Sequence, residues 1–147
     1  MKANFQWLAD GVDFPQELPL PALEQWIEHV AADHDRVVGS LSYIFCSDEK
    51  ILEVNRQFLQ HDYYTDIITF DNTRRRQING DMFISLETVA TNAVQVGQPY
   101  ERELRRVIIH GVLHLCGIND KGPGEREVME ANENAALEML HRLQYGV

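Results

Sequence analysis

Apolar positions along this chain recur at two periods, and where the period changes the elements change. Phe5-Gln6-Trp7-Leu8 is short and aromatic and predicts an edge strand, which Asp10-Gly11-Val12-Asp13 then turns. After Pro21 the spacing Leu23, Trp26, Ile27, Val30 predicts an amphipathic helix, with proline near its start where the missing N–H costs least. Leu41-Ser42-Tyr43-Ile44-Phe45-Cys46 follows as a strand. Ser47 or Asp48 then caps a second helix carrying Ile51, Leu52, Val54, Asn55 and Phe58.

Two β-branched and aromatic runs, 64–70 and 80–85, flank a polar loop from Asp71 to Asn79 and predict two strands, a hairpin with a long tip. Ser85 caps a helix containing Leu86, Val89, Ala90, Ala93, Val94 and Val96, which Gly97-Gln98-Pro99 ends. The next helix begins at Pro99 or Tyr100, with Leu104, Val107, Ile108, Gly111 and Leu115 in one apolar arc. A last helix, about Glu125 to Leu143, buries Val128, Asn132, Ala135, Ala136, Met139 and Leu143 by spacing. A strand-rich first half and a helical second half predict an α+β fold. Its expected form is a small mixed sheet of about four strands with helices packed on one face.

At 147 residues the chain is expected to form a single domain, 1–147, with no repeats and no interdomain linker. Its 44% hydrophobic and 24% charged residues are ordinary for a globular protein, and no apolar run is long enough to span a bilayer. The opening Met1-Lys2-Ala3-Asn4-Phe5 has no signal-peptide apolar region. Cys46 and Cys116 lie far apart in apolar stretches, as buried thiols do in a reducing cytoplasm, so the expectation is a cytoplasmic protein without a disulfide. A net charge of −10 argues against a surface that coats nucleic acid. Even so, Arg74-Arg75-Arg76 and Arg102/Arg105/Arg106 could form a compact basic patch, while acidic residues crowd the C-terminal part, Glu133 among them.

The chemistry concentrates in His110-Gly111-Val112-Leu113-His114-Leu115-Cys116-Gly117-Ile118-Asn119-Asp120. On a helix His110 and His114 project from one face, beside the apolar arc, and can share one ion. Gly117 then stops the helix, so that Asp120 can fold back. Two imidazoles and a carboxylate are normal zinc ligands, and three protein ligands leave a fourth position open, as catalytic zinc sites do. One zinc ion per chain is therefore expected, with nickel or manganese as alternatives. This is a zincin-like metal helix, except that Gly111 stands where metalloproteases carry their general-base glutamate, which speaks against proteolysis.

These residues resemble the YbeY family of bacterial endoribonucleases, whose signature is His-Gly-x-Leu-His-Leu-x-Gly-x-Asp-His. His110, Gly111, Leu113, His114, Leu115 and Gly117 match it in place. Thr65-Asp66-Ile67-Ile68-Thr69-Phe70 and Gly80-Asp81-Met82-Phe83-Ile84-Ser85 look like two further family strands, and Asn55 and Met129-Glu130 also fit. Two positions depart from the pattern. Asp120 falls at the family's third metal-binding histidine, and Leu59 at its characteristic arginine, with Arg56 and His61 as nearby candidates to replace that arginine.

The resemblance implies a zinc-dependent, single-strand-specific endoribonuclease of ribosomal RNA maturation and ribosome quality control, with single-stranded RNA, ribosomal RNA or a ribosomal subunit as partner. His110, His114 and Asp120 are the expected catalytic and metal-binding residues, acting through the ion, and Tyr63 and Tyr64 could stack bases. Attack by water and attack by a substrate 2′-hydroxyl both remain open. Two rivals stand beside this reading: a non-cleaving RNA- or ribosome-binding assembly factor with a structural metal, and a metal-dependent hydrolase of another substrate.

Overall fold

The computed structural model describes residues 3–59 and 65–146, so His61, Tyr63 and Tyr64 lie outside the described residues. The aromatic opening forms β1 (Asn4–Ala9), an edge strand of the sheet. Next comes α1 (Leu20–Asp33), which buries Leu23, Trp26, Ile27 and Val30 in the expected phase. A helix suits the topology here, because β1 pairs in parallel with β2 (Val37–Cys46) and parallel neighbours need a crossover. Ser47 caps α2 (Asp48–Val54) by accepting the Lys50 N–H at 3.1 Å. The expected continuation through Phe58 is corrected: the helix widens at Asn55–Leu59 into a π turn, a form that often marks functional sites.

The hairpin consists of β3 (Ile67–Asp71) and β4 (Gln77–Ser85), paired antiparallel. Its tip is shorter than the polar sequence indicates. Gln77 and Ile78 pair with Val37 and Val38, and Ile78 is fully buried, so packing draws a polar segment into β4. The sheet order is β1-β2-β4-β3, with only β3 antiparallel, giving a four-stranded mixed sheet. Three helices follow: α3 (Leu86–Val96), capped by Ser85 and closed by left-handed Gly97, then α4 (Tyr100–Leu115) and α5 (Glu125–Tyr145). The chain is α+β, and no described helix is long and apolar enough to cross a membrane.

Successive strand residues face opposite sides of a sheet, and this builds two cores. Leu41, Tyr43, Phe45, Met82 and Ile84 pack with α1, α4 and α5 in the larger one. Cys46 and Ile68 point the other way and pack with Ile51 and Val54. Helix α2 therefore covers the reverse face, where the sequence pattern predicted helices on one face only.

Two helices also differ from their patterns. Burial on α4 extends past the expected stripe to Ile109, Val112 and Leu113, because the sheet, α3 and α5 surround it. On α5 the buried phase is Met129, Glu133, Ala136, Leu137 and Leu140, while Val128 and Leu143 are exposed. The predicted face was turned because a charged residue, Glu133, belongs to the buried one.

Helix α4 is seated on the sheet by two glycines. A Cβ at Gly111 would lie 2.6 Å from Met82 Sδ and 3.0 Å from Ile67 Cδ1; one at Gly80 would lie 2.6 Å from the Phe70 carbonyl oxygen of β3 and 3.3 Å from Leu115 Cδ2 of α4. The Tyr43 hydroxyl reaches up from β2 and donates to the Ile108 carbonyl at 3.0 Å. The helix is thus held at close range two residues before its first histidine.

Candidate metal centre

Position 111 explains the missing protease base. It faces Met82 and Ile67 in the sheet, so a side chain there would point into these buried neighbours and have to displace them. His110 and His114 flank it on the open side, their rings 4.6 Å apart and nearly perpendicular. After Leu115 the chain reverses at Gly117, whose φ of +94° disfavours any residue with a Cβ. The Gly117 and Ile118 N–H groups donate to the carbonyls of His114 and Leu113 at 2.9 and 3.0 Å, closing the helix end. Two residues later Asp120 comes back over the imidazoles.

Asp120 lies between the two histidines. His110 Nε2 is 3.4 Å from Asp120 Oδ2 and His114 Nε2 is 3.5 Å from Oδ1. One donor atom from each of the three residues falls within 4.8 Å of the others. Ligands about 2.0–2.2 Å from a tetrahedral ion stand roughly 3.3–3.6 Å from each other, so these separations suit a single small divalent cation. Burial, reinforced by His110, holds the His114 imidazole below its ordinary value against the pull of Asp120. That favours the neutral, ligating form.

Behind His110 lies a polar network absent from the sequence reading. The buried carboxylate of Glu133 accepts from His110 Nδ1 at 2.6 Å, which leaves Nε2 directed at Asp120. Arg106 donates to the same Glu133 oxygen at 3.0 Å and grips Glu103 through two bonds of 2.9 and 2.6 Å. It also pairs with Asp66 at 3.5 Å. The hydrogen bonds to Glu103, with the Glu133 charge beside them, hold the guanidinium above its ordinary value despite burial. Arg106 is therefore committed to this network rather than to a basic surface patch, and Arg76 is likewise paired, with Asp35 at 2.7 Å. The sequence signal for Glu133 was its place in phase with Met129, Ala136 and Leu140 on α5.

Two clefts meet at His110 and Asp120. One, of about 430 Å³, runs along β3 and is lined by Asn55, Leu59, Thr69, His114 and Lys121. The other, of about 600 Å³, lies between α3, α4 and α5, and His110, Asp66 and Asp120 border both. The structure brings Leu59 to this site but not Arg56, which sits with Glu49, Leu52, Glu53 and Gln57 in a separate groove. The difference follows from the π turn, which buries Asn55 and sets Leu59 on the rim of this cleft while Arg56 lines the other groove.

Comparison with known proteins places this geometry. The family model of Endoribonuclease YbeY matches residues 13–141. A protein named Endoribonuclease YbeY from Phocaeicola vulgatus is 63% identical over 131 residues, which cover 89% of this chain and 94% of that protein. Its namesake from Bacteroides fragilis is 62% identical over 130 residues, 88% of this chain and 93% of that one. The Porphyromonas gingivalis protein of the same name is 48% identical over 138 residues, 94% and 91% of the two chains. Among solved structures, TM1509 from Thermotoga maritima superposes with a TM-score of 0.66 at 28% identity, covering 92% of this chain and 88% of that one. The family match takes in β2, β3, β4 and both histidines, and on that evidence this chain belongs to the Endoribonuclease YbeY family.

Proposed function

We propose that this family member is a zinc-dependent endoribonuclease that cuts single-stranded RNA in the cytoplasm, with ribosomal RNA as its class of substrate. The observation that carries the reading is Asp120 set between His110 and His114 at 3.4 and 3.5 Å, at the meeting of two clefts. His110, His114 and Asp120 would hold the ion, and as a Lewis acid it would polarise the scissile phosphate and stabilise the charge that develops there.

The chain's own residues supply orientation. Glu133 holds His110 by its Nδ1–H, and Arg106 holds Glu133. Because position 111 is packed against Met82, no carboxylate stands there to take a proton from an attacking water. The substrate's 2′-hydroxyl and water therefore remain the two candidate nucleophiles, distinguished by their products. Attack by the 2′-hydroxyl breaks the P–O5′ bond and leaves a 2′,3′-cyclic phosphate and a 5′-hydroxyl, whereas attack by water leaves a linear phosphate.

The test is incubation of zinc-loaded protein with a single-stranded RNA, beside His114→Ala and Asp120→Ala. Cleavage by the parent alone is the expected result. Equal cleavage by all three, or none by any, overturns the reading.

A further inference from the structure

The cleft along β3 has an unbalanced charge. Asp66, Asp71 and Asp120 line it, and among the described residues Lys121 is its one lysine or arginine. Asp66 is engaged by Arg106 and Asp71 accepts the Thr73 N–H at 2.8 Å, but neither contact removes the negative field from the cleft. A polyanion entering here meets three carboxylates. A divalent ion at Asp120 offsets two of those charges, and the Lys121 ammonium offsets the third.

Position and freedom of movement both fit Lys121 to meet a phosphate. It follows Asp120 directly, on the exposed loop between α4 and α5, and makes no hydrogen bond or ion pair among the described residues. Leu59 also lines the cleft, 40% exposed and unable to contact a phosphate by charge or hydrogen bond.

We infer that Lys121 is the phosphate-binding cation of this cleft, contacting a non-bridging oxygen of the RNA backbone beside the His110–His114–Asp120 cluster. The inference rests on the proposed RNA substrate. Lysine suits the task as a compact charge on a flexible stem, able to follow a single strand across an open cleft.

The experiment is equilibrium binding of a fluorescently labelled single-stranded RNA to the zinc-loaded full chain at several salt concentrations, with RNA integrity checked by electrophoresis. Parent, Lys121→Gln and Lys121→Arg are compared. One lost phosphate contact on a single strand lowers the slope of log K against log salt by about 0.7. For Lys121→Gln that decrease is expected, together with roughly 10-fold weaker binding and unchanged zinc content. For Lys121→Arg the parent slope is retained.

An unchanged slope in Lys121→Gln overturns the inference, and so does a loss of zinc that accounts for the weaker binding. Because binding is read apart from cleavage, a parent that binds RNA without cutting it would sink the nuclease reading and leave Lys121 standing.

Discussion

Glu133 Oε2 stands 2.6 Å from His110 Nδ1, joining residues 23 positions apart on two helices. A carboxylate behind a ligating histidine fixes its tautomer and raises its basicity, and losing such a partner typically costs 10- to 100-fold in metal affinity. Glu133→Gln should weaken zinc binding by about that factor in a chelator competition. Unchanged affinity would reduce Glu133 to a structural partner of Arg106.

The same carboxylate also bears on stability, since Glu133 is buried and Arg106 mostly so. Removing one member of a buried pair leaves the other's charge uncompensated, at about 3–5 kcal/mol. Arg106 keeps Glu103, which places Glu133→Ala near the low end, about 3 kcal/mol, in urea denaturation of the metal-free protein. A loss below about 1 kcal/mol would mean that Glu103 alone satisfies the guanidinium.

What could be read from the sequence was local. Ser47 and Ser85 cap the helices they were expected to cap, and the two histidines with Gly117 announce their site within eleven residues. Tertiary pairings were hidden. Glu133 reads as surface because it is charged, yet it is buried through Arg106 and His110, and that inversion turned the predicted face of α5. The strand pairing that draws Gln77-Ile78-Asn79 into β4 spans some 40 residues, and the π turn that separates Leu59 from Arg56 leaves no periodic trace.

Gly111 offers a test of packing. A methyl group there would sit 2.6 Å from Met82 Sδ, and overpacking of this kind costs about 1–3 kcal/mol. Alanine's better helix propensity returns up to about 1 kcal/mol. Gly111→Ala should therefore be less stable by up to about 2 kcal/mol in chemical denaturation. A gain in stability would show that α4 does not need the close approach.

Cys46 supplies a pH dependence away from the candidate metal centre. Burial, with Asp10 adding most after it, pushes its thiol from 9.0 up to about 12. Unfolded Cys46 loses its proton first as pH rises, so the stabilisation is complete below pH 9 and is lost between 9 and about 12. Between pH 8 and 10.5 the parent should lose up to about 2 kcal/mol more than Cys46→Ala, measured by urea denaturation. Equal losses would remove the thiol from the account.

The central claim is that His110, His114 and Asp120 hold one ion, and elemental analysis of the isolated protein tests it most directly. About one zinc per chain is expected in the parent, and essentially none in a His110→Ala/His114→Ala variant whose circular dichroism shows it folded. A parent without bound metal, or a folded variant that keeps its zinc, would contradict it.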